Sequence, residues 1–168
     1  GKALLFKIFA DIDVFDIEIG TKDIDAFIET VKNIAPTFGG INLEDIKAPE
    51  SFEIERRLVE ELNIPVMHDD QHGTAIISSA ALLNALELAE KKPEDIKMVV
   101  SGAGSAALAC ADLYVLLGVN PKNIYMFNSK GLLTKDNPSL SPMQLKYARE
   151  GQSLTLEESL VGADLFLG

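Results

Sequence analysis

Val99-Val-Ser-Gly-Ala-Gly-Ser-Ala-Ala107 joins an apolar run, a glycine turn and the start of a run of small residues. That order is strand, turn, helix. Residues 96–101 read as the strand and residues 105–117 as the helix, closed by Gly118. Residues 123–127 read as the next strand, so the segment is one βαβ unit and implies a parallel sheet. Within the turn, Gly102 permits the tight bend, Gly104 lets the backbone approach a pyrophosphate, and Ala107 lets the helix pack close to the strand. Ser105, Ala106 and Ala107 set amide donors at the helix N-terminus, where the helix dipole favours an anion. A glycine pattern alone is weak. Its place between strand and helix is what points to a dinucleotide, and the bland alternative is a tight βα turn.

Downstream, the second strand ends in Asn128-Ser129-Lys130. A carboxylate at that point usually accepts hydrogen bonds from the ribose hydroxyls of NAD. Asn128 removes the charge that would repel a 2′-phosphate, and Lys130 can pair with one. The cofactor expectation therefore leans to NADP over NAD, with Asn128 as a simple turn cap the alternative. Residues 129–143 are rich in turn formers and read as a loop. Residues 154–160 read as a helix and residues 163–167 as a further strand.

Upstream lie two acidic doublets, in Phe38-Gly-Gly-Ile-Asn-Leu-Glu-Asp-Ile46 and in Pro65-Val-Met-His-Asp-Asp-Gln-His-Gly-Thr74. Carboxylates delivered by separate strand ends suit a hard cation such as Mg²⁺ or Mn²⁺ in an oxygen shell. The alternative is solvated charge beside a turn. His68 and His72 flank the second doublet, but no cysteine or third histidine supports zinc, so both are read as structural or hydrogen-bonding. The surrounding periodicity predicts a strand or helix over 3–9 and a half-buried strand over 11–19. It further predicts a helix from a Thr21 cap to residue 33, a short strand within 41–46 and a helix over 49–62. A strand over 64–67 is expected to deliver Asp69-Asp70 into a cleft, and Thr74 to cap a long helix over 75–89. Lys2 and Lys7 have the look of surface lysines.

The chain of 168 residues carries a net charge of −11, which argues against nucleic acid and anionic membranes as partners. Its single cysteine, Cys110, lies in an apolar helical run and reads as a buried thiol. A reducing, cytoplasmic setting fits, and neither a membrane span nor a signal peptide is visible. Both ends read as the inside of a fold, so a piece of a longer protein is expected.

Together these strings resemble the malic enzymes, most closely the bacterial type. Gly1-Lys-Ala-Leu-Leu-Phe-Lys7, the two doublet segments, Ser101-Gly-Ala-Gly-Ser-Ala-Ala107 and Asn128-Ser-Lys-Gly131 carry the likeness along essentially the whole chain. Ser101-Gly-Ala-Gly-Ser-Ala-Ala-Leu-Ala-Cys110 further resembles the subgroup with a fused phosphotransacetylase-like domain. The resemblance implies an α/β fold, with a metal- and substrate-binding lobe over 1–74. A partial Rossmann-type doubly wound parallel sheet that binds NAD(P) follows over 75–168. It implies oxidative decarboxylation of L-malate to pyruvate and CO₂, with a homodimer or higher homo-oligomer as the intact form. Glu44, Asp45 and Asp70 match the family's metal ligands. Lys2 matches the general base, a role that a lysine with lowered pKa can perform, and Asp69 matches the acid beside it. The family's proton-donating tyrosine lies upstream of Lys2 in a motif this chain lacks, and Asn128 replaces its usual aspartate. Residues 1–168 alone are therefore expected to be catalytically incomplete. The competing readings are a non-catalytic nucleotide-sensing module and an amino-acid dehydrogenase of similar plan, neither of which needs the clustered acids.

Overall fold

Two sets of buried apolar residues gather around two sheets. The computed structural model describes residues 1–151 and 153–168. Helix α1 (Lys2–Ala10), helix α2 (Ile24–Ile34), strand β1 (Ile41–Leu43), helix α3 (Glu50–Glu61) and strand β2 (Val66–His68) come first. Helix α4 (Asp69–Leu88), β3 (Met98–Ser101), α5 (Ser105–Leu116), β4 (Ile124–Asn128) and β5 (Gly131–Leu132) follow. The short helices α6 (Pro142–Leu145) and α7 (Leu156–Leu160) lead to β6 (Leu165–Leu167).

The first core joins Ile28 and Val31 of α2 to Leu43 of β1 and to Ile54 and Leu58 of α3. Helix α2 faces it with Ile24, Phe27, Ile28 and Val31, three and four residues apart. Its cap is Asp23, which accepts from the Ala26 N–H at 2.8 Å. The expected cap, Thr21, instead accepts from the Asp23 N–H at 3.1 Å, so the helix begins two residues later. Strands β1 and β2 pair in parallel with Leu43 opposite His68. The residues that follow each strand, the two acidic doublets, therefore leave the sheet at the same end.

In the second sheet the order is β5-β4-β3-β6, with β4 and β6 parallel to β3 and β5 antiparallel. Met98, Val99 and Val100 are fully buried, as a central parallel strand covered on both faces requires. Strands join β3 on both sides, so the winding reverses there and a crevice opens beyond its carboxyl end. Helices α4 and α5 pack closely: Ala75, Leu82 and Leu86 of α4 share a core with Leu108, Ala111 and Tyr114 of α5. Cys110 is buried as expected, with Ser78 Oγ 3.3 Å from its sulfur. No helix is long and apolar enough to cross a membrane among the described residues.

Three further local expectations are corrected. Residues 11–19 form no strand: Ile12, Val14, Phe15 and Ile17 are exposed, and the segment pairs with no strand among the described residues. Asp11 ends α1 in the left-handed region (φ 53°), and the residues that follow are mostly exposed. Thr74 is inside α4, which starts at Asp69, so the second doublet occupies a helical first turn, where acidic residues complement the dipole. The stretch 129–143 holds β5 and the start of α6, which opens with a capping box between Ser141 and Gln144.

Strand β6 is fastened by Asp164, which accepts from Lys91 Nζ and from the Lys97 N–H at 2.8 Å. These bonds, that to Lys91 foremost, hold its carboxyl below the usual carboxylate range. A carboxylate whose folded pKa lies below its unfolded value stabilises above the unfolded pKa and loses that contribution as pH falls through the folded one. The stabilisation by Asp164 is thus complete at neutral pH and fades below about pH 4. Urea midpoints measured across that acid range should fall more steeply for the wild type than for Asp164→Asn.

Candidate active site

The β1–β2 pairing sets the site. Leu43 and His68 sit side by side, and the next residues are Glu44-Asp45 on one strand and Asp69-Asp70 on the other. Asp45 turns the chain with φ 55°, a backbone that aspartate tolerates better than most residues. One carboxylate oxygen each from Glu44, Asp45 and Asp70 lie within 4.8 Å of one another. Three oxygen donors so close can hold a hard divalent cation and leave further octahedral positions to water and substrate. The donor set therefore fits Mg²⁺ or Mn²⁺.

Asp69 takes the other role. Its Oδ2 lies 2.5 Å from Lys2 Nζ, and Lys2 also donates to Glu44 Oε2. Lys2 thus bridges the two doublets from the first turn of α1, with its side chain 41% exposed. Burial is the largest single influence on its pKa and acts downward. Hydrogen bonds and charge from Asp69 and Glu44 together outweigh it, and the net shift is upward. The lowered pKa expected of a base is therefore not what this arrangement gives, because two carboxylates hold the ammonium. Asn42 Nδ2 donates to the same Glu44 oxygen at 3.0 Å, a contact between residues two apart at the end of β1.

Gly73 lies one turn after Asp69 on α4. A Cβ there would stand 2.1 Å from Asp69 Oδ1. The glycine is thus what leaves room for the Asp69 carboxylate along its own helix.

The glycine turn follows β3. Gly102 has φ 131° and donates its N–H to Phe127 O at 2.9 Å, which closes the turn against β4. Gly104 caps α5 and no side chain bonds to that cap, so the first amides of the helix, from Ser105 to Ala107, face the cleft. A Cβ on Gly104 would meet nothing within 4 Å, consistent with an open approach for a pyrophosphate. The cleft measures about 320 Å³ and is lined by Thr74, Ser101 and residues 104–107, among others. Thr74 joins the two halves of the site. It is four residues beyond Asp70 on α4, which is ~6 Å along the axis. The sequence reading of Thr74 as a cap misses this role.

Asn128 ends β4, beside the glycine turn. Its Oδ1 accepts from the Lys130 N–H at 2.8 Å and folds the chain back, leaving Ser129 and Lys130 exposed. The histidines make hydrogen bonds, as expected. His68 Nε2 lies 3.1 Å from Ile46 O, and His72 Nε2 lies 3.0 Å from Glu55 Oε2.

Comparison with known proteins bears on this arrangement. The model of the malic enzyme N-terminal domain matches residues 1–59, and that of the malic enzyme NAD binding domain matches residues 71–163. The NADP-dependent malic enzyme of Salmonella typhimurium is 56% identical over 170 residues, and the NAD-dependent malic enzyme of Rhizobium meliloti 55% over 169. Each alignment covers 100% of this chain and 22% of the relative. The crystal structure of the NAD-dependent malic enzyme of Thermotoga maritima superposes with a TM-score of 0.91 at 48% identity. That match covers 99% of this chain and 45% of the other. The chain thus spans about a fifth of the length of these two curated relatives.

Proposed function

The chain belongs to the malic enzyme family, and we propose that it serves the oxidative decarboxylation of L-malate to pyruvate and CO₂ with reduction of NADP or NAD. The observation that carries this reading is Lys2, held between Glu44 and Asp69 beside three clustered carboxylates, one helical turn from the dinucleotide cleft.

Glu44, Asp45 and Asp70 would hold Mg²⁺ or Mn²⁺, which when bound supplies Lewis-acid polarisation of the substrate oxygen at C2. Lys2 Nζ takes the proton of the C2 hydroxyl as the hydride leaves C2 for the nicotinamide. The resulting β-keto acid loses its C4 carboxylate as CO₂, and the enolate left behind takes a proton at C3. Asp69 keeps Lys2 aimed at C2. Glu44, as a ligand of that cation, would have less charge to offer Lys2, which would favour the neutral form a base requires. The amides of Ser105, Ala106 and Ala107 receive the pyrophosphate at the start of α5.

We also propose that Asn128 and Lys130 favour NADP, by omitting a carboxylate and offering a cation near the ribose. Asn128→Asp should lower kcat/KM for NADP by about tenfold or more through repulsion of the 2′-phosphate, and raise it for NAD. Steady-state kinetics with both cofactors decides this. Equal effects on the two would remove Asn128 from cofactor choice.

Gly73→Ala should turn Asp69 away from Lys2, because the new Cβ would overlap its carboxylate. An alanine in a helix interior otherwise gains ~0.5–1 kcal/mol over glycine. The expected result is a kcat at least about tenfold lower with little loss of melting temperature. Unchanged kcat would show that Asp69 has no part in placing Lys2.

The proposal as a whole is tested by cofactor reduction with L-malate and Mn²⁺ in the full-length protein, with NAD and NADP in parallel. Glu44→Gln serves as the inactive control. Reduction without malate dependence would refute the assignment.

A further inference from the structure

We infer that Glu55 of α3 is a positioning residue for the cation site, an inference that rests on the reading of Glu44, Asp45 and Asp70 as cation ligands. Its side chain is 13% exposed. Oε1 accepts from the backbone N–H of His68 at 2.8 Å, and His72 Nε2 lies 2.8 Å from Oε1 and 3.0 Å from Oε2. His68 is the cap residue of α4 and has no side-chain cap bond of its own, and His72 lies one turn further on. One carboxylate from α3 therefore fastens residues 68 and 72, which bracket Asp69 and Asp70.

The ring of His68 completes the tie. It is fully buried, and its Nε2 lies 3.1 Å from the carbonyl of Ile46, the residue after Asp45. That carbonyl can only accept, so Nε2 carries the hydrogen. His68 thus binds the segment of the first doublet through its ring and, through its backbone N–H, the helix that follows that segment. The site draws its ligands from two stretches of chain, and ligand oxygens must be held within about 0.5 Å to keep a coordination shell. Glu55 itself touches none of the candidate ligands. It and His72 line a separate groove of about 430 Å³ with Phe52, Val66 and Met67, which contains none of the acidic doublet residues. Its effect on the cation passes through His68, whose Nε2 also lies 3.8 Å from Asp70 Oδ2, and through the backbone of α4.

Outer partners of metal ligands typically change metal affinity by 10–100-fold when removed. Electron paramagnetic resonance of free Mn²⁺, titrated against the full-length protein, reads this without turnover. Glu55→Ala is expected to raise the Mn²⁺ dissociation constant by about 10–100-fold. Glu55→Gln, whose amide oxygen still accepts from the His68 N–H, should restore most of the affinity. If Glu55→Ala does not fold, Glu55→Asp, too short to reach both partners, serves in its place and should also weaken binding. Ile54→Val, the neighbouring change in the first core, controls for general loosening of α3. It should lower the melting temperature and leave the Mn²⁺ affinity unchanged. Wild-type affinity in Glu55→Ala, or an equal loss in Ile54→Val at matched stability, would overturn the inference. Asp45→Asn separates the two levels. If it weakens Mn²⁺ binding and Glu55→Ala does not, only the positioning role fails. If Asp45→Asn has no effect, the cation assignment fails and the positioning role with it.

Discussion

Lys2→Ala is expected to lower kcat for malate-dependent cofactor reduction by about 10²–10⁴-fold while dinucleotide affinity holds. Lys2 is the basic side chain set between Glu44 and Asp69, and it does not line the dinucleotide cleft. Alanine removes both a proton acceptor and a bridge between the doublets, so a second variant must separate these roles. Lys2→Arg keeps a cation that can pair with both carboxylates, but a guanidinium does not release its proton in the accessible pH range. If Lys2 is the base, arginine fails as badly as alanine. If Lys2 only ties the doublets together, arginine restores most of the rate. Steady-state kcat for the two variants, with dinucleotide affinity as the control, decides between these outcomes.

The second large effect concerns the cation. Asp45→Asn should abolish detectable turnover at cation concentrations that saturate the wild type, and chelation of the wild type should do the same until Mn²⁺ is restored. The substitution removes one of the three negative charges within 4.8 Å of one another and leaves the shape intact. It should not unfold the protein, because Asp45 sits at φ 55° and asparagine accepts that left-handed backbone as readily as aspartate. Loss of cation-dependent activity at an unchanged melting temperature is the expected pair of results. Full activity in Asp45→Asn, or in wild type freed of divalent ions, would show that the three carboxylates are not ligands.

The parts of this site legible in the sequence are those fixed by local chemistry. Gly102 and Gly104 could be read because a positive φ and an open approach each call for glycine at one position. The doublets could be read because the apolar residues before each made it a strand end. What could not be read depends on contacts between distant segments. The alternation over 11–19 suits a strand, but periodicity does not say whether a partner strand exists, and none pairs with it among the described residues. The start of α4 was hidden for another reason. Asp69-Asp70 and Thr74 are all residues that open helices, so local preference does not choose between the two starts. Glu55 on His68 is a hydrogen bond from a side chain to a backbone N–H 13 residues away that no motif joins. The raised pKa of Lys2 follows from two carboxylates 42 and 67 residues away, which motif position alone does not reveal.

Product analysis in D₂O tests the central claim most directly. The full-length protein is supplied with L-malate, Mn²⁺ and oxidised cofactor, and the products are read by nuclear magnetic resonance alongside cofactor absorbance. Reduced cofactor and pyruvate are expected in equal amounts, with one solvent deuterium in the pyruvate methyl group from protonation of the enolate at C3. A protein that binds both dinucleotide and Mn²⁺ yet forms no pyruvate from malate would contradict it, and would leave a nucleotide-binding module with an unexplained cation site.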